Sequence, residues 1–380
     1  MNRRDFLGQS AASLAALGLG VGCTQKKKAV KIPKMESQTA KAEIGDIRSL
    51  LLHLGSNMWC DFPTELMGGL SPEGVEYLVD KPELKIVWPD EVWRRVTDRA
   101  AQKGVNMIVI DLGEGLIYPS HPELAIEGAW SVKKMQDEIR RLNALGIEVI
   151  PKLNFSTTHN GWMGDYRHMV SSKPYYRMCE DVIGDVVEIF GHPRFFHIGF
   201  DEERADFQVG EKFKYVCVRL DEYWWKDFMH IVETVEKHGA RAWMWSDHAW
   251  YHEDFYERCP KSVIQQNWFY DMQYGGFDIE TNTTSDQKVL KTFLKLDEAG
   301  FDQVPCGTNW PGSVRRRQKI GADDVMGKLV TFGREHISKE HLMGFMMATW
   351  EIYAWDLDND HTKHFEKIIQ GIDIFGDAMK

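Results

Sequence analysis

The 380-residue chain has no basic stripe, no paired-cysteine motif and no apolar run long enough for a permanent membrane helix. Acidic residues outnumber basic ones, 57 to 46, for a net charge of −11. With its basic residues scattered, the chain is not expected to bind nucleic acid. The six cysteines, Cys23, Cys60, Cys179, Cys217, Cys259 and Cys306, are widely spaced. They make neither a disulfide framework nor a zinc pattern, and those after Cys23 are expected as buried thiols. No glycine-rich phosphate turn follows the first expected strand, which argues against a doubly wound dinucleotide fold. Aromatics, by contrast, are abundant: 14 Trp, 19 Phe and 12 Tyr. Such side chains fill cores and also build flat binding walls, and the count alone does not choose between the two.

The first segment, MNRRDFLGQSAASLAALGLGVGC, has paired arginines (Arg3, Arg4), then a small-residue apolar run ending at Cys23. These are the parts of an export signal, and twin arginines point to the Tat route. The run from Leu14 to Val21 is too short and glycine-rich to stay as a span. Gly20-Val21-Gly22-Cys23 has the form of a lipobox, whose cysteine becomes a lipidated N-terminus. A plain cleaved signal with an incidental cysteine is the alternative. Residues 1–22 are thus expected as a Tat-type lipoprotein signal and 23–45, polar and lysine-rich, as a flexible tether. The expected location is periplasmic or cell-surface, on a membrane through Cys23. Residues 46–380 are read as one domain.

Four phrases in that domain share one grammar: AAQKGVNMIVI (100–110), LNALGIEVIP (142–151), VEKHGARAWMW (235–245) and LDEAGFDQVPC (296–306). Each is a helical tail, a glycine suited to a left-handed helix end, and a short apolar run of the kind a parallel strand shows when both faces are covered. Val132, Met135, Ile139, Leu142 and Leu145 fall at helical spacing before one of them. Strands are expected at 49–54, 105–111, 147–153, 195–200, 241–246, 262–268, 303–307 and 342–349, with a closing helix near 361–376. Eight alternating units predict a (β/α)₈ TIM barrel. Residues 60–88 and 112–129 are long loops for that fold.

A barrel collects its working groups where the strands end. Those ends carry Asp111 and Glu114; Lys152, Asn154 and His159; Asp201 and Glu202; Trp243, Trp245 and Asp247; Asn267, Trp268 and Tyr270; Asn309 and Trp310; Trp350 and Glu351. Carboxylates, amides and tryptophans ring one mouth, without the basic cluster a phosphate substrate needs. That set suits a carbohydrate, with acceptors for hydroxyls and aromatic faces for rings. Other polar positions have plainer readings. His197, inside an apolar strand, is expected as a structural imidazole, Glu203 and Asp206 as solvated, and Trp224, Trp225 and Trp355 as core.

The stretch HIGFDE, His197 to Glu202, resembles the His-x-Gly-x-Asp-Glu signature of family 20 glycoside hydrolases, the β-N-acetylhexosaminidases. Arg48-Ser49-Leu50-Leu51-Leu52 is similar to the family's first strand, Asn106–Glu114 to its second, Ile147–His159 to its third, and Trp245-Ser246-Asp247 and Trp350-Glu351 to its fifth and eighth strand ends. The resemblance covers about 45–380, in order. It departs from the pattern at Lys152, where an acid is usual, at Thr157-Thr158 in place of Pro-Gly, and at Phe200 in place of a small residue.

The resemblance implies a retaining, substrate-assisted exo-β-N-acetylhexosaminidase. Glu202 would be general acid and base, and Asp201 would orient the 2-acetamido group. Glu114 and His159 would form a relay touching Glu202. Arg48 and Glu351 would clamp ring hydroxyls, Tyr270 would donate to the acetamido oxygen, and Trp245, Trp268 and Trp350 would wall the pocket. Asp247, Asn309 and Trp310 complete the expected substrate contacts. No metal or organic cofactor is expected. The neighbouring residues Asp201 and Glu202 can serve one ligand only if the strand ends or bulges there, because successive strand residues face opposite ways. Two alternatives remain: a glycosidase with a carboxylate nucleophile, Asp247 or Glu351, and a non-catalytic sugar-binding lipoprotein.

Overall fold

The computed structural model describes residues 31–58, 85–210, 215–270, 276–281, 284–308, 325–350 and 361–380. The signal, Cys23, Asn309, Trp310 and Glu351 lie outside the described residues, as does most of the loop expected at 60–88.

The strands are β1 (Ile47–His53), β2 (Met107–Asp111), β3 (Glu148–Lys152), β4 (Phe195–Gly199), β5 (Arg241–Trp245), β6 (Ile264–Gln266), β7 (Cys306–Thr308) and β8 (Gly344–Ala348). All pair in parallel, in the order β6-β5-β4-β3-β2-β1-β8-β7. Isolated parallel bridges, Gln265 to Gln303 and Trp268 to Cys306, bring the two ends of that sheet together. Helices Asp90–Gln102, Val132–Ala144, Lys173–Ile189, Glu222–Lys237, Thr284–Glu298, Val325–His336 and His361–Ala378 lie between and after the strands. This is the expected (β/α)₈ barrel. β7 is shorter than its apolar run, and Pro305, which has no N–H to pair, stands just before it.

The repeated phrase works as its chemistry requires. Gly104, Gly146, Gly239 and Gly300 all take φ near +80° (81°, 81°, 84° and 78°), where a side chain would be strained. The helix Val132–Ala144 starts under a Ser131 cap and buries Met135, Ile139 and Leu142, but Leu145 is exposed, since it stands past the helix end. Alternation splits the strand residues between two cores. Leu50, Leu52, Ile108, Ile110, Val149 and Phe196 face the helices. Leu51, Val109, Ile150, Trp243, Trp245 and Met346 fill the barrel.

Residues 32–45, expected as tether, pack against the barrel instead. Met35 and Ala42 are buried. Gln38 pairs with the Val149 backbone through both amide atoms, each at 2.7 Å. The Ala42 N–H donates to Glu148 Oε2 at 2.9 Å, and Arg194 Nη2 donates to the Ala42 carbonyl at 2.9 Å. The segment is held by polar contacts with backbone, which leave no hydrophobic period in the sequence.

Candidate active site

β4 stops in a turn that breaks alternation. Its register against β5 slips between His197 and Gly199. Gly199, Phe200 and Glu202 then take φ of 73°, 72° and 56°. Asp201 and Glu202 consequently flank one imidazole: Asp201 Oδ1 lies 3.4 Å from His159 Nδ1, and Glu202 Oε2 lies 3.3 Å from His159 Nε2. The strand-end bulge that the adjacent acids required is present.

Left-handed backbone at a Phe and a Glu costs about 1–3 kcal/mol each and persists only where surrounding contacts fix it. Here they do. The Phe200 N–H donates to Asn154 Oδ1 at 3.2 Å, and Ser156 Oγ donates to the Asp201 carbonyl at 2.5 Å. Thr158 Oγ1 donates to the Glu202 carbonyl at 2.7 Å, and the Glu202 N–H donates to Asp247 Oδ2 at 2.7 Å. The Phe200 ring packs edge-on against Trp224 and Phe228. Glu203, expected as solvated, is instead buried in an ion pair with Arg219, Nη2 to Oε2 at 2.5 Å. A charge this deep is stable only with such a partner.

Burial opposes the charge on both His159 and Asp201, yet each stabilises the other. His159 is pushed up to about 10 by Asp201 and Glu202. Asp201 is held well below the usual carboxylate range by His159, Lys152 and the Asn154 amide. Asp247 goes the other way: burial, then the charge of Asp201, push it well above that range. At neutral pH an anion, Asp201, and an imidazolium, His159, therefore sit together, beside a carboxyl, Asp247, whose environment opposes its charge. Donor atoms of His159, Asp201 and Glu202 lie within 4.8 Å of one another. A metal would need the imidazole neutral, so the trio as charged suits proton transfer and anion positioning better than ligation.

One layer down, His53, Asp111 and Lys152 stand in register on β1, β2 and β3. Lys152 is ion-paired with Asp111, and His53 Nδ1 is 3.3 Å from Asp111 Oδ2. Burial disfavours the Asp111 anion, but Lys152 and His53 hold it at about 2. Aromatic rings close the other side. Trp350 lies 4.9 Å from His53 and 6.1 Å from Trp245, centroid to centroid. Trp268 stacks on Tyr270 at 4.9 Å, and Tyr270 is 6.4 Å from Trp350. The Tyr270 hydroxyl is 3.7 Å from Cys306 Sγ.

No protein-family model matches the chain, and no curated protein matches it in sequence. Solved structures do match. A Vibrio harveyi GH20 exo-β-N-acetylglucosaminidase in complex with N-acetylglucosamine is similar over 87% of this chain and 54% of its own, at 13% identity and TM-score 0.56. A mutant Streptomyces plicatus β-hexosaminidase with its product is similar over 86% and 63%, at 13% identity and TM-score 0.53. A pneumococcal StrH structure, from work on N-glycan recognition and hydrolysis, is similar over 90% and 84%, at 11% identity and TM-score 0.52. The fold resembles that of the family 20 hexosaminidases. The chain spans about half to two thirds of the Vibrio and Streptomyces chains.

Against the family 20 pattern, the structure brings together Glu202, Asp201, His159, Asp247, Trp245, Trp268, Tyr270 and Trp350, and it corrects two expectations. Arg48 is not at the mouth. It is the second residue of β1, at the opposite end, and its side chain, a third exposed, pairs with Asp46 at 2.9 Å. Inward positions on β1 are Ile47, Ser49, Leu51 and His53, so Arg48 faces out by parity. Glu114 is not in a relay with His159. Its Oε1 takes the Ser56 and Asn57 amides at 2.7 and 3.0 Å, holding the loop after β1, and burial pushes it up to about 6.

Four residues in or under the site had no role assigned from the sequence. His53 ends a leucine run, and a polar residue closing an apolar strand was its signal. Asp111 and Lys152 close their strands in the same way, but nothing in the sequence says they pair. Arg219 carries no signal at all, because it reaches Glu203 only through the folded chain.

Proposed function

We propose that this protein is a retaining glycoside hydrolase for β-linked 2-acetamido sugars. The observation that carries the reading is the pair of carboxyls, Asp201 and Glu202, on either side of the His159 imidazolium. Glu202, a quarter of whose side chain is exposed, is the group open to a leaving oxygen and to water. It protonates the glycosidic oxygen as the C1–O bond breaks. The substrate's own acetamido oxygen forms the new bond at C1, while Asp201 accepts the acetamido N–H and balances the positive charge that develops there. Water, losing its proton to Glu202, then opens that intermediate with net retention. An anion held at Asp201 suits this role, because the charge it must stabilise appears only in the reaction. Trp245, Trp268 and Trp350 supply ring faces, and Tyr270 donates to the acetamido oxygen. The N-acetylglucosamine in the Vibrio structure supports an acetamido sugar here.

Asp247 is disfavoured as a nucleophile: its Oδ2 already receives the Glu202 N–H at 2.7 Å, and burial and the Asp201 charge raise it above the usual carboxylate range, against the anionic form a nucleophile needs. Glu351, the other candidate nucleophile, lies outside the described residues. The test is a panel of aryl β-glycosides with and without a 2-acetamido group. Turnover of the acetamido members alone is expected. Turnover of plain glucosides or galactosides alone would overturn the reading, and none at all would leave a sugar-binding protein. Export by the Tat route and lipidation at Cys23 belong to the same proposal. Cys23→Ala should move the protein from the membrane fraction to the soluble one.

A further inference from the structure

We infer that Asn154 is the positioning residue for Asp201: one amide aims the carboxylate and also pins the turn that presents it. The inference rests on the role proposed for Asp201.

Asn154 follows β3 by two residues and is fully buried. Flanking backbone bonds extend the β3–β4 pairing on both sides of it, Leu153 N–H to the His197 carbonyl at 3.0 Å and Phe155 N–H to Ile198 at 3.1 Å. Its side chain is therefore mounted on sheet rather than loop, which limits its freedom. Nδ2 donates to Asp201 Oδ1 at 2.7 Å. Oδ1 accepts the amides of Ser156 at 3.1 Å and Phe200 at 3.2 Å, the second being the left-handed residue before Asp201. A side chain at Gly199 would put its Cβ 2.0 Å from Asn154 Oδ1, so Gly199 is required for this approach. The other groups that face Asp201 are His159 and Lys152, Glu202 on its own turn, Asp247 after β5, and, further off, His53, His197 and Tyr270. Among them the Asn154 amide is the neutral donor at hydrogen-bond distance. It orients the anion without adding charge beside the reacting sugar.

Asn154→Asp isolates that donor. The new carboxylate still accepts from Ser156 and Phe200, so the turn stays anchored, and only the bond to Asp201 changes. While the two acids share a proton, a hydrogen still bridges them. When it leaves, two like charges meet within hydrogen-bond distance. The raised carboxyl binds its proton more tightly folded than unfolded, so stability must fall as pH rises through the pair's titration. The expected results are kcat/KM within about tenfold of the parent near pH 5, an alkaline limb about one pH unit or more lower, and KM little changed. Melting temperature should drop relative to the parent between about pH 5 and pH 8. Asn154→Asp with Asp201→Asn puts an amide opposite a carboxylate again and should remove that slope. A variant that tracks the parent at every pH, or loses the same fraction of activity and stability at every pH, overturns the inference. If the parent hydrolyses no acetamido glycoside, the functional reading fails, and the melting comparison still decides whether Asn154 holds Asp201.

Discussion

Lys152 and Asp111 stand opposite each other on β3 and β2, ion-paired and sealed from solvent beneath the mouth. An acid is usual at the Lys152 position in the family that the chain resembles. A lone cation would not be tolerated there, since burying an unpaired charge costs several kcal/mol. Asp111 supplies the opposite charge, and the exchange leaves Asp201 anionic just above.

Lys152→Met should therefore lower stability by about 3–5 kcal/mol, because it leaves Asp111 buried without its cation. Lys152→Met with Asp111→Asn should recover most of that loss, and urea unfolding at pH 7 measures both. The parent should also weaken in acid. Asp111 titrates at about 2 in the fold, below its ordinary value, so its contribution is complete above about pH 4 and disappears as pH falls toward 2. The double variant should show a flatter acid limb.

His159 gives the opposite sign. Its imidazole is raised to about 10 by Asp201 and Glu202 against the pull of burial. A raised base stabilises the fold fully below about pH 6.5 and loses that contribution as pH climbs through 10. Melting temperature of the parent should fall across that window. His159→Gln, uncharged at every pH, should be less stable at pH 7 and lack the alkaline fall.

Activity should separate the two ends of the barrel. Glu202→Gln should reduce kcat by about 10²–10⁴-fold on glycosides with poor leaving groups, the usual range for removing an acid–base group. Arg48→Gln should change kcat/KM by less than about threefold, as a half-exposed pair away from the chemistry is worth within about 0.5 kcal/mol. Steady-state kinetics on one acetamido glycoside settles both. A large loss in the Arg48 variant would mean that the residue reaches the sugar.

The sequence placed Glu202, Asp201 and His159 together because each follows a recognisable strand, and strand ends in a barrel share one face. It placed Arg48 at the mouth through resemblance. Counting alternate residues back from His53, the last residue of β1, would have turned Arg48 outward. Glu114 misled for a related reason: an acid just past β2 is near the mouth, but backbone amides of the β1 loop reached it first. The buried pair of Arg219 and Glu203 was illegible, being a contact between a turn and a segment 16 residues on.

Local chemistry alone determined the barrel: apolar runs covered on both faces, amphipathic helices between them, and glycines where left-handed backbone ends a helix. Those preferences act within a few residues, so the chain displays them in order. What only the tertiary structure decided is charge. Asp201 an anion, His159 an imidazolium, Asp247 an acid raised above its ordinary range and Lys152 a paired cation are conditions set by burial and by partners on other strands. Electrostatic energy depends on distance through the fold, and distance along the chain carries no record of it.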